Sequence, residues 1–558
     1  MRRNISWIAA PVLLLALTLA FKQDIVWAAS VTVNSTTDIS DGDTSSIANL
    51  IANPGADGVI SLREAIEATN STTGSDSIAF NISGCSGVCT IQPLSPLPVI
   101  SDGGTMIDGY TQPGAVKATD VLSATLLIEI DGTQAGEADC FTITSSNNVL
   151  MGLVINRFGK NGVTIYGSAA VSNTVSGNYI GTNANGLQAL GNQSRGVYIQ
   201  FSSHNLIGGN SPSDRNVISG NNGSGVHLHT QTTENTVSGN YIGLNANGMG
   251  ILPNKSDGVT LSSLATRNII GGDTVGERNV ISGNDGDGVS ISSSGNVVSG
   301  NHIGTDLTGT VCRGNGTYWE GVTIWAGHDN IIGGNLSGEG NLIACNGVAG
   351  ARITGSNAIS NTVVGNVILA NQQMGVSVDN GAARNIIGPD NIITYNGKNG
   401  VIVANSGFTL NFVGPRNVIA YNGRQGVYVS GTGRATISQN SIYANQYLGI
   451  EYGAEFIPRP IITSATCTGT SNIFGTACPG CIVEVFENSN TDGEGEAYLE
   501  NAIANASGAF TITVGALNKR YLTATATDAV DGTSVFSTVF PVTAQFNIYL
   551  PTILNNYQ

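Results

Sequence analysis

The chain has 558 residues, 38 acidic and 22 basic, for a formal net charge of −16. So acidic a balance excludes nucleic acid and anionic membrane surfaces as natural partners, because both are recognised through basic patches. Charged residues make up 11% of the chain while glycine supplies 74 positions, which suits a β-solenoid with tight corners; the strict apolar periodicity argues against disorder.

Residues 1–29 read as a secretory signal peptide. Arg2 and Arg3 precede an apolar run over residues 8–21, and small residues close it at Ala28 and Ala29, where cleavage is expected. The run is short for a bilayer span, and no later segment could cross one. The mature protein is therefore expected to be secreted or held at the cell surface, without a transmembrane segment and as a monomer. Eight cysteines fit an oxidising setting.

Residues 30–90 read as an N-terminal cap. Residues 31–34 form an opening strand and residues 57–70 a short helix, in which Ser61 and Glu64 have capping-box spacing and Leu62, Ala65, Ile66 and Thr69 share a face. Such a helix covers strand edges that the first turn of a solenoid would expose. Cys85 and Cys89 are close enough to staple a small loop.

From residue 91 to 456 one phrase recurs, irregularly at first, with Cys140 where later turns have glycine. A glycine column passes through Gly162, Gly196, Gly225, Gly258, Gly288, Gly321, Gly350, Gly375, Gly400, Gly426 and Gly449. Its intervals are 29–34 residues up to Gly350 and 23–26 beyond it, the range of repeat architectures. One asparagine column runs from Asn173 through Asn205 and Asn235, and another from Asn178 through Asn216 and Asn240. Each column opens a short run alternating apolar with variable residues, which is a strand pattern. Three strands per turn, stacked on those of the next turn, predict three parallel sheets. The asparagines are scaffold: their amides can bond along the column, and they accept the left-handed backbone of a sharp corner. Up to Gly350, inserts alternate between two edges. They follow strand three at residues 181–186, 243–248 and 304–309, and precede it at 209–215, 272–278 and 334–340. Such loops can wall a groove, and their oxygens could hold calcium. Cys312 and Cys345 lie one turn apart.

Ile60-Ser-Leu-Arg-Glu-Ala-Ile66 is similar to the CSLREA motif near the N-terminus of exported bacterial β-helix proteins, with Ile60 in place of the usual cysteine. Residues 106–114 and the repeated phrase at 178–186 resemble the same group. Over residues 31–455 this resemblance implies a right-handed parallel β-helix of the pectin-lyase-like kind, a handedness that parallel crossovers also favour. Residues 457–543 open on Pro458-Arg-Pro460 and turn to alternating strands at 482–486, 510–514 and 522–527. They resemble the small Ig-like β-sandwiches that follow such helices. The expected class is all-β: a three-sheet solenoid, then a small sandwich. Cys478-Pro-Gly-Cys481 lacks a βαβ context and a second pair for zinc, so a structural disulfide drawing on Cys467 is expected. The apolar tail, residues 544–558, could be a sorting signal or a final strand, of which the strand is favoured.

In each Gly-Val-x-Ile strand the Val and Ile face inward and the alternate residues outward. The outward positions include Tyr166, Tyr198, His227, His229, Trp325, Arg352, Asp379, Tyr428, Glu451 and Tyr452. Aromatic rings stack on sugar faces, and Arg or carboxylates bond hydroxyls and uronates. An extracellular polysaccharide is thus the expected partner, bound through Tyr166, Tyr198, His227, His229 and Trp325; an ordinary solvated sheet is the plainer alternative. Directly before the glycine column, Asp257, Asp287 and Glu320 fall on successive turns. Strands about 4.8 Å apart would stack three carboxylates, which calls for a cation, a raised pKa or splaying into water.

Two catalytic arrangements stay open. The acids could act as general acid and base or nucleophile in glycoside cleavage. Alternatively they could hold calcium while Arg352 or His227 removes a proton for β-elimination. Against catalysis, polygalacturonase phrases survive only as fragments at residues 327–329 and 352–354, and pectate-lyase phrases are missing. A noncatalytic protein binding polysaccharide along the strand-one face is the first expectation. A polysaccharide lyase or glycoside hydrolase is second, and a structural surface protein or adhesin third.

Overall fold

The computed structural model describes residues 29–542 apart from 120–121, 408, 455–456 and 467–468. The expected signal sequence before Ala29, Cys467 and the tail lie outside the described residues. Among them, the chain winds into a right-handed parallel β-helix whose strand-one, strand-two and strand-three sheets have 12, 14 and 13 strands. The strand-two sheet begins with β1 (Ala29–Val33) paired in parallel with β2 (Asp76–Phe80).

Between them lie α1 (Ile47–Ala52) and α2 (Leu62–Ser71). The capping box forms as spaced: Ser61 Oγ accepts from Glu64 N–H and the Glu64 carboxylate accepts from Ser61 N–H. Glu64 also accepts from the amides of Asp41 and Gly42, so one buried carboxylate fixes both the helix start and the loop ahead of it. Leu62, Ala65, Ile66 and Thr69 are all buried. Six-residue α1 is too short to show a helical period.

Inside the coil, Val197 and Ile199 are fully buried and stack on Val226 and Leu228 of the next turn. The same columns recur turn after turn, each side chain contributing roughly 1.5–3 kcal/mol before the cost of ordering it. The glycine column is a packing requirement: a Cβ on Gly225 would meet Ile242 Cγ2 at 2.6 Å and Gly258 O at 2.8 Å.

The asparagines ladder as expected. Asn205 Oδ1 accepts from the backbone N–H (2.9 Å) and side-chain amide (3.0 Å) of Asn173, and Asn235 repeats this toward Asn205. The left-handed residue, however, is the one before the asparagine: Ser172, His204 and Glu234 have φ of 59°, 59° and 57°. The asparagine holds the corner with its side chain, not its backbone. A third column, from Asn192 through Asn221, Asn254 and Asn284 to Asn445, closes the remaining corner. Inserts of unequal length separate it from strand three in sequence, which hid it.

In the long turns, Leu244 and Ala246 of the inserts fold over the outer face of the strand-three sheet. With Tyr179, Val217, Tyr241 and Val280 they form an apolar cluster outside the coil.

The C-terminal sandwich sets Ile461–Ala465, Ser471–Thr476 and Ala509–Val514 in one antiparallel sheet, and Ala497–Ile503, Ile482–Asn488 and Tyr521–Asp528 in another. Ile473, Val483, Val485, Ile512 and Leu522 make its core. It also plugs the helix: Phe486 and Phe536 join the helix core. Glu484 accepts from Ser438 Oγ (2.5 Å) and Gln439 N–H (3.0 Å). Glu494 accepts from the amide nitrogens of Asn445 at 3.1 and 3.3 Å. Among the described residues the disulfides are Cys85–Cys89, Cys312–Cys345 and Cys478–Cys481. The expectation that Cys467 would take part in the last bridge is corrected, since the Pro-Gly turn brings Cys478 and Cys481 to a Cα separation of 5.5 Å.

Candidate functional site

The strand-one sheet presents two outward columns. Tyr198, His227, Thr260, Ser290, Thr323 and Arg352 are in register, and Ser377, Ile402, Tyr428 and Glu451 continue the line. Tyr166, Gln200 and His229 begin the second column, which Thr354 and Asp379 carry on. Trp325 belongs to it, one residue after Ile324, the partner of Ile353. Tyr452 does not face outward: it pairs with Val429 and packs against the core.

At one end of this face Tyr198, His227 and His229 converge. His227 is only 9% exposed. Arg195 Nε donates to His227 Nδ1 at 2.8 Å, which assigns the imidazole proton to Nε2, 2.8 Å from Ser262 Oγ. The Arg195 guanidinium lies 4.8 Å from the Tyr198 ring centre, and the His227 and His229 rings are 5.2 Å apart. Burial, with the positive charge of Arg195, pushes His227 down to about 3. It is neutral at physiological pH, and its free lone pair is already taken by Arg195, which argues against a role as general base. Tyr166, half exposed, stands edge-on to Phe201 at 5.8 Å and borders an open hollow of about 480 Å³. Sequence reasoning missed Arg195 and Phe201. Arg195 occupies the same pre-glycine position as Asp257, so the signal was present.

Asp257, Asp287 and Glu320 do form a column, neither splayed into water nor stacked carboxylate on carboxylate. Asp287 and Glu320 are 1% and 2% exposed. Asp257 Oδ1 accepts from Asp287 N–H at 3.0 Å, and Asp287 Oδ1 from Glu320 N–H at 2.9 Å. A backbone amide therefore sits between successive acids. The same geometry joins Asp139 to Asn161 N–H and Asn161 to Arg195 N–H, so the acids continue a corner ladder. The ladder closes on Arg352, whose Nη1 donates to Glu320 Oε1 at 3.1 Å and whose Nε donates to Asp379 Oδ2 at 3.0 Å.

One oxygen is left over: Asp287 Oδ2 is buried and without a hydrogen-bond partner. Burial, with Asp257 and Glu320 alongside, pushes the Asp287 carboxyl up to about 8. Burial raises Asp257 as well. Trp325 is 40% exposed, with the Arg352 guanidinium 5.9 Å from its ring centre. Around the corner, Tyr318, Trp319 and the Cys312–Cys345 bridge line an open hollow of about 610 Å³. Among the described residues, no three His, Cys, Asp or Glu side chains are grouped to hold a metal ion; the three acids share backbone amides instead of a common centre.

Comparison with known proteins adds the following. The model of a family described as periplasmic copper-binding protein (NosD) matches residues 312–457. No curated protein matches the chain. Among solved structures, the chain is similar to the Dettilon tailspike protein (gp208), at 14% identity over 86% of this chain and 89% of that one, with a TM-score of 0.38. It is similar to the A-module of the Azotobacter vinelandii mannuronan C-5 epimerase AlgE4, at 13% identity over 64% and 92%, with a TM-score of 0.39. A mutant of the periplasmic alginate epimerase AlgG is similar at 12% identity over 63% and 76%, with a TM-score of 0.35.

Proposed function

We propose that the protein is exported and binds an extended polysaccharide along the outer face of its strand-one sheet without turning it over. The observation that carries this reading is the make-up of that face. Tyr166, Tyr198 and His229 stand at one end and Trp325, Arg352 and Asp379 toward the other, on two columns that follow the helix axis. Rings suit the apolar faces of pyranoses, and the guanidinium and carboxylate suit hydroxyls or uronates. The acids nearest this face are poorly placed for chemistry, because Asp287 and Glu320 are buried and each is bonded within the corner ladder. Three disulfides fit an exported protein.

A second reading, lyase or hydrolase action on the same polymer, draws on one observation. Asp287 holds its proton near neutral pH, as a general acid must. Calcium bound by Asp257, Asp287 and Glu320 has no support from their arrangement.

The test is incubation of the mature chain with acidic and neutral polysaccharides, with calcium or with chelator, assaying retained glycan, new reducing ends and unsaturated ends. Saturable retention without product is expected, weakened roughly tenfold by Trp325→Ala and unchanged by Asp287→Asn. Product that disappears in Asp287→Asn would establish the second reading. Absence of both retention and product would overturn both and leave a structural surface protein.

A further inference from the structure

Arg215 and Arg278 end two of the inserts that precede strand three. They occupy equivalent places, two residues before Val217 and Val280, and those strands flank the one that carries Tyr241. Two strand spacings put their backbones about 10 Å apart. The Arg215 guanidinium lies 4.4 Å from the Tyr241 ring centre. Both arginines line one hollow of about 220 Å³ with Tyr241, Ser123 and Asn247, on the outer face of the strand-three sheet.

Several arginines of this molecule are held by acids, while Arg195 is held by a histidine. Arg63, Arg157, Arg267, Arg352 and Arg416 are each paired with an Asp or Glu. Among the described residues, no carboxylate lies within 4.0 Å of Arg215 or Arg278. Arg215 Nε is buried with no hydrogen-bond partner. Arg278 donates from Nε to Gly300 O at 3.2 Å, which leaves its two terminal nitrogens for another acceptor. Next in register after Val280 comes His302, whose Nδ1 is likewise buried and unpartnered. Partly buried guanidiniums without a counter-charge are costly, and burial draws Arg278 below its ordinary value.

We propose that this hollow binds an oxyanion, the carboxylate of a uronic acid or a sulfate or phosphate group, through the forked N–H donors of Arg215 and Arg278. The site stands apart from the strand-one face and does not depend on polysaccharide binding there. The anion is either free in solution or a substituent on a sugar.

Calorimetric titration of the mature chain with inorganic phosphate, sulfate, galacturonate and neutral galactose, against sodium chloride at equal ionic strength, tests it. Saturable binding by at least one anion is expected, none by galactose, and a loss of roughly tenfold or more in Arg215→Gln and Arg278→Gln. Arg278→Lys keeps the charge and retains part of the affinity. Saturation by phosphate or sulfate alone supports a free-anion site, and saturation by galacturonate a sugar-borne one. No binding beyond the chloride control, or unchanged binding in the double Gln variant, overturns the proposal. If that variant does not fold, phenylglyoxal labelling of the unmodified chain decides. Saturating anion should protect Arg215 and Arg278 and leave exposed Arg384 labelled; equal labelling with and without anion overturns it.

Discussion

The asparagine columns and the acid column occupy corners of the same coil and differ by what their side chains can donate. Asn240 Oδ1 accepts from Asn216 Nδ2 at 2.9 Å, while its own Nδ2 donates to Asn279 Oδ1 at 3.0 Å and to Ile207 O at 2.8 Å. An amide carries both donors and acceptors, so the pattern can repeat without limit. Asp257, Asp287 and Glu320 can only accept when ionised. Each acid meets one backbone N–H or the Arg352 guanidinium, one oxygen of Asp287 goes unserved, and the row stops after three turns. The neutral column is scaffold at any length; the acidic one is short and titratable.

The strongest way to break this contrast is Asn240→Ala. It strands acceptors and donors on both neighbouring turns, and a loss of roughly 2–4 kcal/mol is expected in urea unfolding. An unmoved midpoint would mean that the ladder is not what holds the corner.

The acid column is sharpened by pH. Folded Asp287 keeps its proton up to about 8, whereas the unfolded chain releases it near 4. Between those values the native state holds the extra proton, so this group's contribution to stability falls as pH rises. Asp287→Asn should flatten the decline across that window. A variant profile parallel to the parent's would refute the titration.

Removing the donor that ends the row comes next. Arg352→Met leaves Glu320 buried and unpaired, and about 1–2 kcal/mol of stability should go, less than for a fully buried pair because the Arg352 side chain is 26% exposed. Adding Glu320→Gln should restore part of it; if the double variant is worse than the single, the pairing account fails. Trp325→Ala should move the unfolding midpoint least, by under about 1 kcal/mol, so that any loss of glycan retention reflects the face and not the fold.

The strand phase of Val197 and Ile199 was legible because a period of two survives inserts of any length, and the Ser61–Glu64 box because it is local. The corners were less so. Left-handed positions are held by Ser172, His204 and Glu234, which share no side-chain chemistry, so no column marks them. The row Asp257, Asp287 and Glu320 could be read from spacing, but not the backbone amide between each pair, because that depends on which way a side chain turns at a corner. Counting placed Tyr452 outward, yet the last turn meets the sandwich, and its hydroxyl donates to Ala435 O at 3.4 Å. His227 was read as exposed; its burial depends on Arg195, one turn away.

The plug at the C-terminal end also bears on how the chain is assembled. A chain that folds from its N-terminal end as it emerges can lay each coil on the one before. The amides of Gln439 and Asn445 must wait for Glu484 and Glu494, which arrive 45 and 49 residues later. Glu484 lies on the sandwich strand Ile482–Asn488, so that final step waits on the sandwich. Burial pushes Glu494 up to about 8, so completion of the fold carries a proton with it, and the plug holds less firmly as pH rises toward that value.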